Sequence, residues 1–208
     1  MGSFFPFAKS KRTPRREDKG PNMDAQKRLL ARLLMEKSYR EGDFILASGK
    51  RSDYYFDCRT TALSAEGSWL IGCLFNDLLK DLAIRGVGGM TMGADPLVSA
   101  VTVISHERGR PLNGLLVRKE AKGHGTGQYV EGLDNFQSGD NVAMLEDVVT
   151  TGGSLLKACS RVRDCGLNIV AVCCVLNREE GGAEALAEAG YNLLSLFTRG
   201  ELLEIAAS

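Results

Sequence analysis

The sequence predicts an α/β protein with a mostly parallel central sheet flanked by helices. Three observations carry this expectation. From residue 87 onward, short apolar runs alternate with Gly-bearing loops and amphipathic stretches, the strand, loop, helix and strand order that builds a parallel sheet covered on both faces. One apolar run, residues 142–145, ends in Glu146-Asp147 and passes through a Thr/Gly turn straight into a helix, the arrangement by which open α/β sheets present ligand sites at the carboxyl ends of their strands. A length of 208 residues with 44% hydrophobic content suits one packed core with a small appendage.

The first 22 residues differ from the rest. Phe4, Phe5 and Phe7 precede a basic run of Lys9, Lys11, Arg12, Arg15 and Arg16 that contains Pro14. The segment lacks the apolar stretch of a secretory signal, and Pro6 stands where a myristoylation pattern requires Ser or Thr. It reads as a disordered basic tail, with an organelle address or an RNA-touching arm as alternatives. Residues 23–208 form the domain.

Leu29, Leu30, Leu33 and Leu34 recur at helical spacing, so residues 23–39 read as an amphipathic helix. The runs 44–46 and 54–56 are strand-like, and the polar segment 48–52 between them reads as a hairpin tip. Ser64 suits the N-cap of a helix extending to about Leu82. A strand at 87–92 leads through Gly93-Ala94 to Asp95 as N-cap and Pro96 at the first helical position, and Gly109 closes that helix behind His106. Strands follow at 115–117, 142–145 and 169–176, with a helix at about 154–165 stopped by Gly166. A helix near 184–189 and a strand at 191–197 precede a last helix, which is opened by the capping box Thr198-x-x-Glu201.

Lys+Arg and Asp+Glu each number 26, so no overall charge favours nucleic acid or an anionic membrane, and any anion site must be local. No apolar stretch approaches the roughly 18 residues of a membrane span. The six cysteines include no C-x-x-C pair, and Cys173-Cys174 sit inside an apolar run. They read as buried free thiols of a reducing cytoplasm. A zinc site is disfavoured, because His106 and His124 lack finger spacing.

Residues 146–154 carry the most specific chemistry. Small residues after a strand let successive backbone N–H groups converge, and the helix N-terminus adds partial positive charge, which together cradle a phosphate. Thr150, Thr151 and Ser154 add hydroxyl donors. Glu146 and Asp147 would repel a phosphate, so they face ribose hydroxyls or a metal-bound face of the ligand. A sugar phosphate satisfies both halves. A second polar segment, Arg118-Lys119-Glu120-Ala121-Lys122-Gly123-His124-Gly125, gathers the cations that a strongly negative leaving group needs as its bond breaks.

Residues 142–154 resemble the phosphoribosyl pyrophosphate signature of type I phosphoribosyltransferases, with Glu146 where Asp is more usual. The basic segment resembles the mobile active-site loop of the orotate phosphoribosyltransferases, and residues 48–57 resemble their hairpin over orotate. The resemblance covers residues 23–208 and implies a type I phosphoribosyltransferase fold with a small hood built from the two chain ends. It also implies transfer of a ribosyl phosphate to orotate, in pyrimidine biosynthesis, with Mg²⁺ held mainly through the substrate pyrophosphate. By the same resemblance, Glu146, Asp147, Val148, Val149, Thr150, Thr151, Gly152, Gly153 and Ser154 bind the donor. Arg118, Lys119, Lys122 and His124 close over its pyrophosphate, with the turn at Gly93 to Asp95 opposite. Tyr55, Phe56, Thr150 and Arg178 receive orotate, and Lys122 and Asp147 carry the catalytic step. Ala47 stands where some members have a Lys, leaving Lys50 or Arg51 to compensate. A cytoplasmic homodimer with shared active sites is implied, acting on small molecules and not on nucleic acid. The rivals are a purine-type phosphoribosyltransferase, which would lack the basic segment and the aromatic hairpin, and an RNA-binding regulator on the same fold.

Overall fold

The computed structural model describes residues 22–45, 51–121 and 128–207. Helix α1 (Met23–Lys37) is followed by an antiparallel hairpin of β1 (Tyr39–Ile45) and β2 (Arg51–Phe56). Leu30, Leu33 and Leu34 place one face of α1 in the core. Asn22 caps the helix by accepting from the Asp24 N–H at 3.1 Å, so this residue, grouped with the tail by sequence, belongs to the domain. The basic run at 9–16 and the hairpin tip with Ala47 and Lys50 lie outside the described residues.

Next come α2 (Cys58–Ala62), α3 (Ala65–Leu78), β3 (Gly86–Met90), α4 (Asp95–Glu107), β4 (Asn113–Val117) and β5 (Val130–Glu131). The chain continues with β6 (Asn141–Val149), α5 (Gly153–Asp164), β7 (Asn168–Asn177), α6 (Gly182–Glu188), β8 (Leu193–Thr198) and α7 (Arg199–Ala207). The main sheet has the order β5-β4-β3-β6-β7-β8. All its pairs are parallel except β4 with β5. Because β3 and β6 are adjacent in space while β4 lies beyond β3, the loops after β3 and β6 diverge at one crevice, the position where such sheets bind ligands.

The sheet separates two apolar layers. Leu70, Ile71, Phe75, Leu97, Val101 and Phe197 pack with α1 on one side, and Leu155, Ala158, Val162 and Leu186 fill the other. Each such Leu or Phe removed from water contributes roughly 1.5–3 kcal/mol. Successive strand residues face opposite layers, so Cys173 joins Cys58 in the first and Cys174 joins Cys159 in the second. Helix α7 docks on α1, which brings the two described ends together as the expected hood. Its capping box forms as the spacing predicts: Thr198 N–H donates to Glu201 Oε2 at 2.9 Å, and Glu201 N–H to Thr198 Oγ1 at 3.2 Å.

Several boundaries differ from the sequence expectation. Helix α3 stops at Leu78 rather than Leu82, because Arg110 Nη2 bonds the carbonyls of Leu79 and Leu82 at 2.9 and 2.6 Å and satisfies a tighter exit. Asp95 is not the N-cap of α4: Ala94 already has helical dihedrals, and its carbonyl accepts from Val98 N–H at 2.9 Å. Strand β6 runs on through the acidic pair to Val149, paired with β7. Helix α2 and the two-residue β5 were not anticipated.

Candidate active site

Two connected hollows open at the crevice. The smaller, about 100 Å³, lies against Val149, Thr151, Gly152 and Gly153 as β6 turns into α5. Gly152 has φ +78°, and a Cβ there would lie 3.1 Å from the Gly182 carbonyl, so the turn requires glycine. Its carbonyl accepts the first helical bond, from Leu156 at 2.9 Å. The first N–H groups of α5 have no partner inside the helix, which makes this turn an anion cradle. Glu146, Val148, Thr150 and Ser154 line both hollows.

The larger cavity, about 530 Å³, is walled by Tyr55 and Phe56 of β2, by the turn after β3, by Lys119, by the acidic pair and by Arg178. Asp147 Oδ1 accepts from the Val148 N–H at 2.9 Å. A Cβ on Gly93 would lie 2.6 Å from Asp147 Oδ1, so the missing side chain at 93 makes room for that carboxylate. Glu146 is 7% exposed, and its Oε2 has no hydrogen-bond partner among the described residues. Burial holds the Glu146 carboxyl well above the ordinary carboxylate range, and the neighbouring Asp147 reinforces this, while Lys119 opposes it.

Arg178 emerges at the end of β7 and is 5% exposed. Its Nε donates to Glu180 Oε1 at 2.7 Å and its Nη2 to Ser52 Oγ at 3.2 Å. Its guanidinium carbon lies 4.3 Å from the centre of the Tyr54 ring, a cation–π distance. Arg199, the first residue of α7, lies 4.2 Å from the same ring centre. Hairpin, strand and C-terminal helix therefore meet at Tyr54, and a guanidinium held by three neighbours borders the cavity.

Lys119 lines the cavity, whereas Arg118 does not: its Nε pairs with Glu131 Oε1 of β5 at 2.7 Å. Behind both, Arg161 of α5 donates from Nη1 to the Arg118 carbonyl and from Nη2 to the Lys119 carbonyl, the latter at 3.2 Å. Its guanidinium carbon sits 3.9 Å from the Tyr129 ring centre. Lys122 and His124 lie outside the described residues.

The structure thus brings Tyr55, Phe56, Lys119, Glu146, Asp147, Val148, Thr150, Ser154 and Arg178 to one cavity, and Val149, Thr151, Gly152 and Gly153 to the adjoining cradle. Sequence reasoning missed Asp57 and Arg59, which also line the cavity. Asp57 caps α2 and holds Arg59 through Nε at 2.8 Å and Nη2 at 2.7 Å, and this bonding keeps the Asp57 carboxyl below its ordinary range. The signal was present as Asp-x-Arg directly after the aromatic run, the spacing of an N-cap acid and a first-turn base.

A strand-to-helix anion cradle beside an acidic pair, at the switch point of a mostly parallel sheet with a terminal hood, defines a type I phosphoribosyltransferase. No family model matches the chain. An orotate phosphoribosyltransferase of Thermosynechococcus vestitus is 47% identical over 179 residues, 86% of this chain and 93% of that one. The solved Mycobacterium tuberculosis H37Rv orotate phosphoribosyltransferase in complex with Fe(III) dicitrate superposes with a TM-score of 0.74 at 37% identity, covering 85% of this chain and 98% of that one. The same enzyme in complex with 5-phospho-α-D-ribosyl 1-diphosphate gives a TM-score of 0.70 at 34% identity, with the same coverage. The chain belongs to the orotate phosphoribosyltransferase family.

Proposed function

We propose that the protein converts orotate and 5-phosphoribosyl 1-pyrophosphate into orotidine 5′-monophosphate and pyrophosphate, a step of pyrimidine biosynthesis that leads to UMP. The observation that carries this reading is one cavity bordered both by the acidic pair with its anion cradle and by the buried, braced Arg178. The cradle at 150–154 takes the 5-phosphate and Asp147 the ribose hydroxyls. Glu146, buried beside it with its Oε2 unpartnered among the described residues, bonds the same sugar. Arg178 grips the planar, carboxylate-bearing pyrimidine with its guanidinium fork, between Tyr55, Phe56 and Thr150. As the bond from C1 to the pyrophosphate oxygen breaks, its electron pair leaves on pyrophosphate, C1 becomes oxocarbenium-like, and the ring nitrogen of orotate attacks C1 as its proton passes to solvent. Lys119 neutralises the departing charge, joined by Lys122 and His124.

Among the described residues, no group of three or more His, Cys, Asp or Glu side chains is placed to hold a metal ion. The Asp147 side chain nevertheless borders the cavity, which suits an Mg²⁺ bound mainly through pyrophosphate oxygens and water, with few protein ligands. When bound, the ion offsets negative charge on the leaving group.

A homodimer is supported by an apolar groove of about 580 Å³ lined by Ala62, Leu63, Met92 and Pro96, which shares Met92 and Arg59 with the central cavity. Leu63 is 74% and Met92 66% exposed, an apolar surface of the kind that subunit contacts cover. Among the described residues, no helix is long and apolar enough to cross a membrane. All six thiols are free, and five are buried while Cys165, against the sequence expectation, is exposed; free thiols fit a reducing cytoplasm.

The test offers orotate, uracil, hypoxanthine and adenine separately with the ribosyl donor. Orotidine monophosphate alone should form. It should stop forming on chelation and return with Mg²⁺. Equal or faster use of a purine overturns the reading in favour of a purine-type enzyme.

A further inference from the structure

Arg161 lies on the third turn of α5, the helix whose first residues form the phosphate cradle. It takes no part in the chemistry assigned above, yet its guanidinium is engaged with one stretch of chain. The fork bonds two successive carbonyls, of Arg118 and Lys119, and its face covers the Tyr129 ring. The same stretch is closed by the Arg118 N–H donating to the Tyr129 carbonyl at 2.8 Å and by the Arg118 to Glu131 ion pair. The outgoing chain at 118–119 and the returning chain at 129 are therefore tied together and then tied to α5. Lys119 borders the cavity there, close enough to Glu146 to lower the cost of ionising that carboxyl.

We infer that Arg161 is a positioning residue for the ribosyl donor: it fixes the backbone from which Lys119 enters the cavity. This rests on the reading that Lys119 meets the pyrophosphate. Residues 153 and 161 of one continuous helix are about 12 Å apart along its axis, from eight residues at 1.5 Å each. A single rigid rod thus sets the separation between the cradle for one anionic end of the donor and the cation for the other. A lysine at 161 would keep the charge and lose the planar fork that spans two carbonyls. A loosened Lys119 should weaken donor binding and leave the pyrimidine side untouched.

The experiment measures KM for donor and for orotate in Arg161→Met, Arg161→Lys, Lys119→Ala and the double variant Arg161→Met/Lys119→Ala, with Tm recorded for each. Loss of two charge-assisted carbonyl bonds should raise donor KM roughly tenfold in either Arg161 variant, with orotate KM unchanged. In the Lys119→Ala background, Arg161→Met should add less than about twofold, because its effect passes through Lys119. The inference is overturned if Arg161→Lys keeps the parental donor KM, if both substrates' KM values rise together, or if Arg161→Met multiplies donor KM equally in both backgrounds. Should Lys119→Ala itself leave donor KM unchanged, the pyrophosphate reading fails first and takes the inference with it. If Arg161→Met does not fold, Arg161→Lys and its combination with Lys119→Ala decide by the same criteria.

Discussion

Near the end of β6, burial sets the proton affinity of the Glu146 carboxyl. Glu146 is buried beside Asp147 and keeps its proton above the ordinary value of 4.5. Below that value folded and unfolded chains both hold the proton. Between it and the raised folded value, the unfolded chain releases a proton that the folded chain retains, so stability falls as pH rises. Glu146→Gln should therefore melt higher than the parent at neutral pH and match it near pH 4, as followed by thermal denaturation across pH. A parallel pair of melting profiles would remove the buried charge from the account. Gly93→Ala should act differently: the nearest atoms to its Cβ are the carboxyl group of Asp147, which can swing aside. Tm should hold while donor binding loses about 1.5–3 kcal/mol, the worth of a charge-assisted hydrogen bond. For Arg178→Ala, titration calorimetry should show orotate affinity falling with donor affinity preserved. Equal loss of both would mean that Arg178 only braces the hairpin.

At the scale of elements, the C-terminal helix depends on a reciprocal cap. Glu201→Ala should cost about 1 kcal/mol, by loss of a partner for the Thr198 N–H, measurable by urea denaturation. An unchanged midpoint would show that docking on α1 alone holds α7. That cap was legible in the sequence, as were the hairpin, the alternating strands and the turn from β6 into α5, since each is written in contiguous residues with a local physical cause. Other features depend on distant partners. The early end of α3 depends on Arg110, 28 residues or more away, and no reading of α3 itself shows it. Helix α2 is only five residues long, too short for periodicity, and β5 is a strand only because β4 passes beside it. The site divides likewise: the cradle and Arg178 could be read from strand ends, and Asp57-x-Arg59 left a local capping signal, whereas Arg161 acquires meaning only from the distant carbonyls that folding sets against it.

For the whole molecule, the proposed homodimer makes a quantitative expectation, in which Lys122 of each subunit serves its neighbour's site. Mixing Lys122→Ala subunits with Asp147→Asn subunits would give hybrids with one site carrying both lesions and the other carrying none. Random exchange makes about half of the dimers hybrid, so activity should recover to roughly a quarter of the parent's. No recovery despite proven exchange would show that each subunit completes its own site. The two apolar layers offer a different use. Cys58 and Cys173 lie in one layer and Cys159 and Cys174 in the other, while Cys165 is exposed. Burial pushes the Cys159 and Cys173 thiols up to about 12, so alkylation must wait for local opening that exposes them and restores their thiolate character. The chain therefore carries its own isotope-free clock. Under mild denaturant, peptide mass spectrometry of iodoacetamide-treated protein would date the parting of each side of the sheet separately, with the neighbours Cys173 and Cys174 reporting on opposite sides from one peptide bond.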